Sequence, residues 1–99
     1  MTPADKAIVA EYMGWSLDYD ANLYFYTNKE LDLCIAHYDL NDASLCVSRM
    51  VEKGDWEDFQ IKIYFSDMAT GLRAHEFVAW LFNADNFFQA MAAWLRSKK

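Results

Sequence analysis

The sequence predicts an α+β fold, a single domain over residues 1–99 in the order α-β-β-α-β-β-α, with an antiparallel sheet packed by helices. Three observations predict it. Phe59-Gln60-Ile61-Lys62-Ile63-Tyr64-Phe65 alternates so that Phe59, Ile61, Ile63 and Phe65 share one side, the period of a half-buried strand. Apolar helical patterns with clear start signals lie on either side of it. A chain of this length buries roughly two thirds of its unfolded surface, enough for one sizeable core.

The first element is a helix. Thr2 precedes Pro3 and is followed three positions later by Asp5, a capping-box-like start with proline at the first helical position. The helix runs from Pro3 to about Met13 with Ala4, Ile8, Val9 and Tyr12 inward, and Gly14 is placed to end it in a left-handed conformation. Trp15 and Leu17 begin an extended connection. Leu23 to Thr27 and Leu31 to His37 then read as a hairpin about the polar turn Asn28-Lys29-Glu30. That turn lacks glycine, which leaves a less regular edge as the alternative for the second strand.

Asn41 or Asp42 can cap a second helix that reaches about Lys53, with Ala43, Cys46, Val47, Met50 and Val51 inward and Gly54 closing it. The strand at 59–65 follows. A polar turn over Ser66 to Gly71 leads to Arg73 to Phe82 as its antiparallel partner. Two readings stand for residues 74–97, because Phe77, Leu81, Ala84, Phe88, Met91 and Leu95 are spaced four, three, four, three, four, which one long helix also satisfies. Strand then helix is preferred: Asn83 is a natural N-cap, and the strand before it needs a partner for its backbone. The last helix would bury Phe87 or Phe88, Met91, Trp94 and Leu95.

Fifteen acidic against nine basic residues give a formal charge of −6, a repulsive field that disfavours contact with a phosphate backbone. Arg96, Lys98 and Lys99 cluster at the C-terminus, where they complement the negative end of the last helix. Cys34 and Cys46 are too few and too far apart for a zinc knuckle or a CxxC pair and read as buried thiols of a reducing cytoplasm. The N-terminus lacks the features of a signal peptide, and no apolar run approaches the ~20 residues of a membrane helix. A soluble protein without a membrane contact is expected. Seventeen aromatics, four of them Trp, exceed what a core this small usually hides, so some are expected outside as a contact surface.

Chemical motifs are weak. Asp18-Tyr19-Asp20-Ala21-Asn22 has the alternating oxygens that open a calcium loop, but Leu23 and Lys29 stand where such a loop needs glycine and glutamate. His37 and His75 belong to no metal or acid-base spacing. Cys34 and His37 are an odd number apart, so on one strand they point to opposite faces. Gly14, Gly54 and Gly71 are isolated, which argues against a phosphate cradle. No catalytic residue, metal or cofactor is assigned. Asp55, Glu57 and Asp58 surround Trp56, and Asp18 and Asp20 flank Tyr19, two acidic and aromatic mixtures that fit either a solvated rim or a surface presenting carboxylates where phosphates would sit.

Two stretches, Ile8-Val9-Ala10-Glu11-Tyr12-Met13-Gly14-Trp15 and Tyr38 to Gly54 with Met50-Val51-Glu52-Lys53 closing its helix, together resemble the phage ABA-sandwich domain and related small phage and prophage proteins. The tryptophan-rich start of the central helix in those proteins is replaced here by Asn41, Asp42 and Ala43. The resemblance implies a layered helix and sheet fold and a bacterial or phage origin, hence the cytoplasm of a bacterial host, and it brings no catalytic residues.

The expectation for function is a non-enzymatic phage or prophage protein that binds another protein, host-encoded if the chain acts as an acidic inhibitor of a nucleic-acid-binding or defence complex. Trp15, Tyr19, Trp56 and Asp58 are the candidate partner contacts. The alternative is a structural homodimer that buries Trp80, Phe82, Phe87 and Trp94 against a second copy. A small hydrolase or transferase lacks a nucleophile, base and anion-binding loop in any recognised arrangement.

Overall fold

The computed structural model describes residues 1–28 and 30–98; Lys29, in the expected turn, and Lys99, in the basic C-terminus, lie outside the described residues. The elements are α1 (Pro3–Met13), β1 (Ser16–Asp18), β2 (Leu23–Thr27), β3 (Leu33–Ile35), α2 (Leu40–Lys53), α3 (Trp56–Tyr64), a single 3-10 turn (Asp67–Ala69), α4 (Ala74–Leu81) and α5 (Ala84–Ser97). The class is α+β as expected. The order is not: among the described residues there are five helices and one antiparallel sheet of three strands, β1-β2-β3.

The N-terminal half follows its sequence signals. The Asp5 N–H donates to Thr2 Oγ1 at 3.1 Å, and Gly14 ends α1 at φ 73°, a left-handed position that costs glycine nothing. The hairpin forms, and the stretch after Trp15 that reads as a connection adds β1 to its other side, pairing Ser16 with Phe25 and Asp18 with Leu23. The cap of α2 is Asp39 rather than Asn41 or Asp42, its Oδ1 accepting the Asp42 N–H at 3.0 Å. Asp42 is thereby free to bond elsewhere. Ala43, Cys46 and Met50 face the core as expected, while Val51 is exposed.

Two expected strands are helices. Over 59–65, Phe59 and Ile63 lie four apart and are buried, whereas Ile61 and Phe65 are exposed, so the apparent alternation mixes the inner and outer faces of α3. Glu57 and Asp58 in its first turn and Lys62 in its last complement the helix dipole. The segment 73–82 is likewise α4, with Phe77 buried and Glu76 Oε1 accepting the Arg73 N–H at 3.3 Å. Asn83 interrupts the four-three spacing by capping α5, its Oδ1 accepting the Asn86 N–H at 3.1 Å. Residues 74–97 are therefore two helices, neither a strand with a helix nor one long helix.

Helix α5 is the centre of the core and packs most extensively on α1. Trp94 is 1% exposed and donates its indole N–H to Asp58 Oδ2 at 3.0 Å. Asp5 pairs with Arg96, and Asp55 accepts from both the Tyr12 hydroxyl at 2.9 Å and Lys98 Nζ at 3.3 Å, which ties α1, the start of α3 and the end of α5 together. Most of the expected aromatic surplus is absorbed. Tyr26, Trp15, Tyr38, Phe88, Phe87, Phe59, Trp94 and Tyr12 form an unbroken string of ring contacts with centroids 5.2–5.9 Å apart, and only Tyr19, Phe65 and Phe82 are exposed. Each fully buried large side chain contributes about 1.5–3 kcal/mol.

Candidate functional site

The sheet is fastened to the helices by one buried carboxylate. Asp42, 2% exposed, accepts the backbone N–H groups of His37 at 2.7 Å and Tyr38 at 2.8 Å and the Tyr26 hydroxyl at 2.9 Å. These bonds hold Tyr38 at φ 55°, a left-handed position uncommon for an aromatic residue, and fix the step from β3 into α2. Burial, then the bond to Asp42, pushes the Tyr26 phenol up to about 12. The inner face of the sheet is thus settled: Tyr24 and Tyr26 pack on the core, and Trp15 stacks on Tyr26 at 5.3 Å.

Side chains alternate along a strand, so the outer face follows from the register. Leu23 and Phe25 of β2 lie on it beside Asp18 and Ser16 of β1 and Ile35 of β3, with Leu33 opposite Thr27. No helix covers these residues: Leu33 is 69% exposed, Leu23 and Ile35 are exposed, and Phe25 is half-buried. Both ends of the sheet carry carboxylates. Asp18 ends β1 and Asp20 stands in the turn that follows, where Asp18 Oδ1 accepts the N–H groups of Asp20 and Ala21 at 3.1 and 3.3 Å, and Glu30 and Asp32 stand before β3, all exposed. Residues 16–39 hold five carboxylates against one lysine, −4 of the chain's −6.

A second apolar hollow lies between α2, α3 and α4, with a volume of about 490 Å³ and walls that include Leu40, Val47, Trp56, Val78, Leu81 and Phe82. Small side chains on α2, Ala43, Ser44 and Ser48, keep it open.

The candidate contacts fall in different places. Tyr19 is 87% exposed between the two aspartates at one end of the sheet. Trp15 lies beneath the sheet against Tyr26 and Tyr38, and Trp56 is half-buried on Phe59 in the wall of the helical hollow. The Asp58 carboxylate already accepts Trp94 Nε1 and pairs with Lys62 at 3.5 Å; the indole bond first, then the two lysines Lys62 and Lys98, hold it below its usual range against a contrary effect of burial. Of the self-association set, Phe87 (3% exposed) and Trp94 are interior residues, Phe87 at the back of the helical hollow, while Trp80 is half-buried and Phe82 is 69% exposed. Sequence reasoning missed Leu33 and Ile35 as surface residues, although the small partners in their alternation, Cys34 and Ala36, mark the inner side where Tyr26 needs room.

Cys46 is fully buried, and burial, with Asp42 nearby, pushes its thiol up, which keeps it protonated. Among the described residues no three His, Cys, Asp or Glu side chains gather as a metal-holding group, and no helix is long and apolar enough to cross a membrane. No family model matches the chain, and neither a curated protein nor a solved structure matches it.

Proposed function

We propose that this chain is a non-enzymatic interaction protein that binds a basic protein partner through the outer face of its sheet. The observation that carries the proposal is the combination on that one face of uncovered Leu23, Phe25, Leu33 and Ile35 with carboxylates at both ends. The aliphatic centre supplies the buried anchor of an interface, and the rim steers a cationic partner onto it. Proteins that hold nucleic acid present lysines and arginines around an apolar groove, so an acidic inhibitor of a nucleic-acid-binding or defence complex of a phage host is the finer form of this reading. The resemblance of the opening helix and of Tyr38 to Gly54 to small phage proteins supports that origin.

The test uses a lysine-leucine alternating peptide as the basic probe and the variant Asp18→Asn/Asp20→Asn/Glu30→Gln/Asp32→Asn. Wild type should bind the peptide at low salt and lose it steeply as salt rises, and the neutralised variant should bind on the order of tenfold more weakly or worse with a flattened salt dependence. Equal binding by the variant, or binding indifferent to salt, overturns the proposal.

A further inference from the structure

Strand β3 closes the sheet on one side, and among the described residues no strand lies beyond it. The direction of its backbone groups follows from the ladder. Hydrogen-bonded and non-bonded pairs alternate between antiparallel strands. The Ala36 N–H donates to the Tyr24 carbonyl at 2.8 Å, and the Asn28 N–H donates to the Asp32 carbonyl at 3.0 Å. Tyr26 and Cys34, paired between them, belong to the bonded set, so Leu33 and Ile35 aim their N–H and C=O groups away from β2. Those four groups form a free edge, and its guards are few: residues 30–37 contain neither proline nor lysine, and the Leu33 and Ile35 side chains are exposed. The opposite edge offers less. By the same alternation only Leu17 of β1 points its backbone groups outward, and its half-buried side chain lies on the inner face with Tyr24.

A row of backbone donors and acceptors is matched in full only by another extended backbone. Charge narrows the choice further. Glu30 and Asp32 stand exposed where β3 begins, and residues 30–48 carry four carboxylates and no lysine or arginine. A second copy would bring the same carboxylates and a further −6 to this edge, whereas a basic segment is attracted to it. We infer, on the sheet-face reading proposed above, that the basic partner is held as an extended segment that adds a fourth, antiparallel strand beside β3. Opposed residues of an antiparallel pair place their side chains on the same face. The residues of the segment opposite Leu33 and Ile35 are therefore apolar and widen the outer face beside Phe25. Its alternate, basic residues turn to the opposite side, the one that Asp32 takes by the same alternation.

The experiment measures binding of the full chain to the lysine-leucine alternating peptide and to two forms of it, one N-methylated at every leucine and the other at every lysine. All three carry the same charge and the same side chains. In an antiparallel fourth strand the leucine N–H groups donate to Leu33 and Ile35, and the lysine N–H groups face water. Leucine methylation should weaken binding roughly 30-fold, the worth of two backbone hydrogen bonds, and lysine methylation should leave it nearly unchanged. The amides of Leu33 and Ile35 should gain protection from hydrogen exchange when the unmodified peptide binds. Equal binding of the two methylated peptides, or a complex in which those two amides exchange as fast as in the free chain, overturns the inference while salt-dependent binding of the unmodified peptide still supports the sheet-face reading. No binding of the unmodified peptide at low salt overturns both.

Discussion

The outer face of the sheet and the hollow between the helices both leave aliphatic side chains to water, yet one is acidic at its margins and the other is neutral. The first is bounded by Asp18, Asp20, Glu30 and Asp32, and the second is lined by neutral side chains alone. Apolar area makes both surfaces adhesive, and the charge beside it sets what each one tolerates. Salt should therefore weaken binding of a cationic partner at the first and act far less at the second.

Both faces stand on one core, and Trp94→Ala tests that most severely. Removing a ring in contact with Tyr12 and Phe59, together with the partner of Asp58, should cost about 3–5 kcal/mol in urea unfolding and abolish peptide binding with the fold. Peptide binding that survives in the unfolded population would show that it does not depend on the fold described above.

Asp42→Ala should separate the two. It strands two backbone N–H groups and the Tyr26 hydroxyl in the interior, a loss of about 2–3 kcal/mol or more concentrated at the junction of β3 and α2. Hydrogen exchange should quicken in β2 and β3 well before α5, and peptide binding should fall while α5 keeps its protection. Unchanged protection in the sheet would show that Asp42 is not what fastens it.

The smallest effect is that of pH. The carboxyls of Asp5 and Asp58 titrate below the ordinary 3.8 in the folded chain; for Asp5 burial works the other way but is outweighed by its contacts with Arg96 and Thr2. Their contribution is present above that pH and disappears as pH falls through the folded values. Tyr26 is displaced from 10.0 to about 12, so its contribution is complete below pH 10 and vanishes as pH climbs to 12. The melting temperature should form a plateau that drops by a few degrees at each end, and Tyr26→Phe should shorten only the alkaline fall. A fall that begins at neutral pH would contradict this assignment.

Where the sequence contains a stop and a start, it states its structure openly. Thr2 and Gly14 bound α1, Gly54 closes α2, and Asn83 opens α5, each by a hydrogen bond or a left-handed backbone position particular to that residue. Periodicity is weaker. Phe59 and Ile63 are the inward pair of α3, and the outward Ile61 and Phe65 complete a false alternation, because a helix permits apolar residues on its exposed side and an isolated pattern does not reveal which side that is. The dipole-matched charges Glu57, Asp58 and Lys62 were the better signal. At the candidate interface, Tyr19 and the neighbouring aspartates are legible as an acidic, aromatic turn. The duty of Asp42 is not, since it depends on groups brought from β2 and from residues 37 and 38 that only the folded chain assembles.

The string of aromatic rings from Tyr26 to Tyr12 has an optical consequence. Its members are close enough for tyrosines to pass excitation to Trp15 and Trp94, and its rings are held at fixed mutual angles, as in the stack of Trp15 on Tyr26 at 25° and the edge contact of Tyr12 with Trp94 at 76°. Such an array gives strong near-ultraviolet circular dichroism. Trp15 sits directly under the sheet and Trp56 in the wall of the helical hollow, so each surface has a native fluorophore of its own, and occupancy of either one should register in the emission of the unlabelled protein.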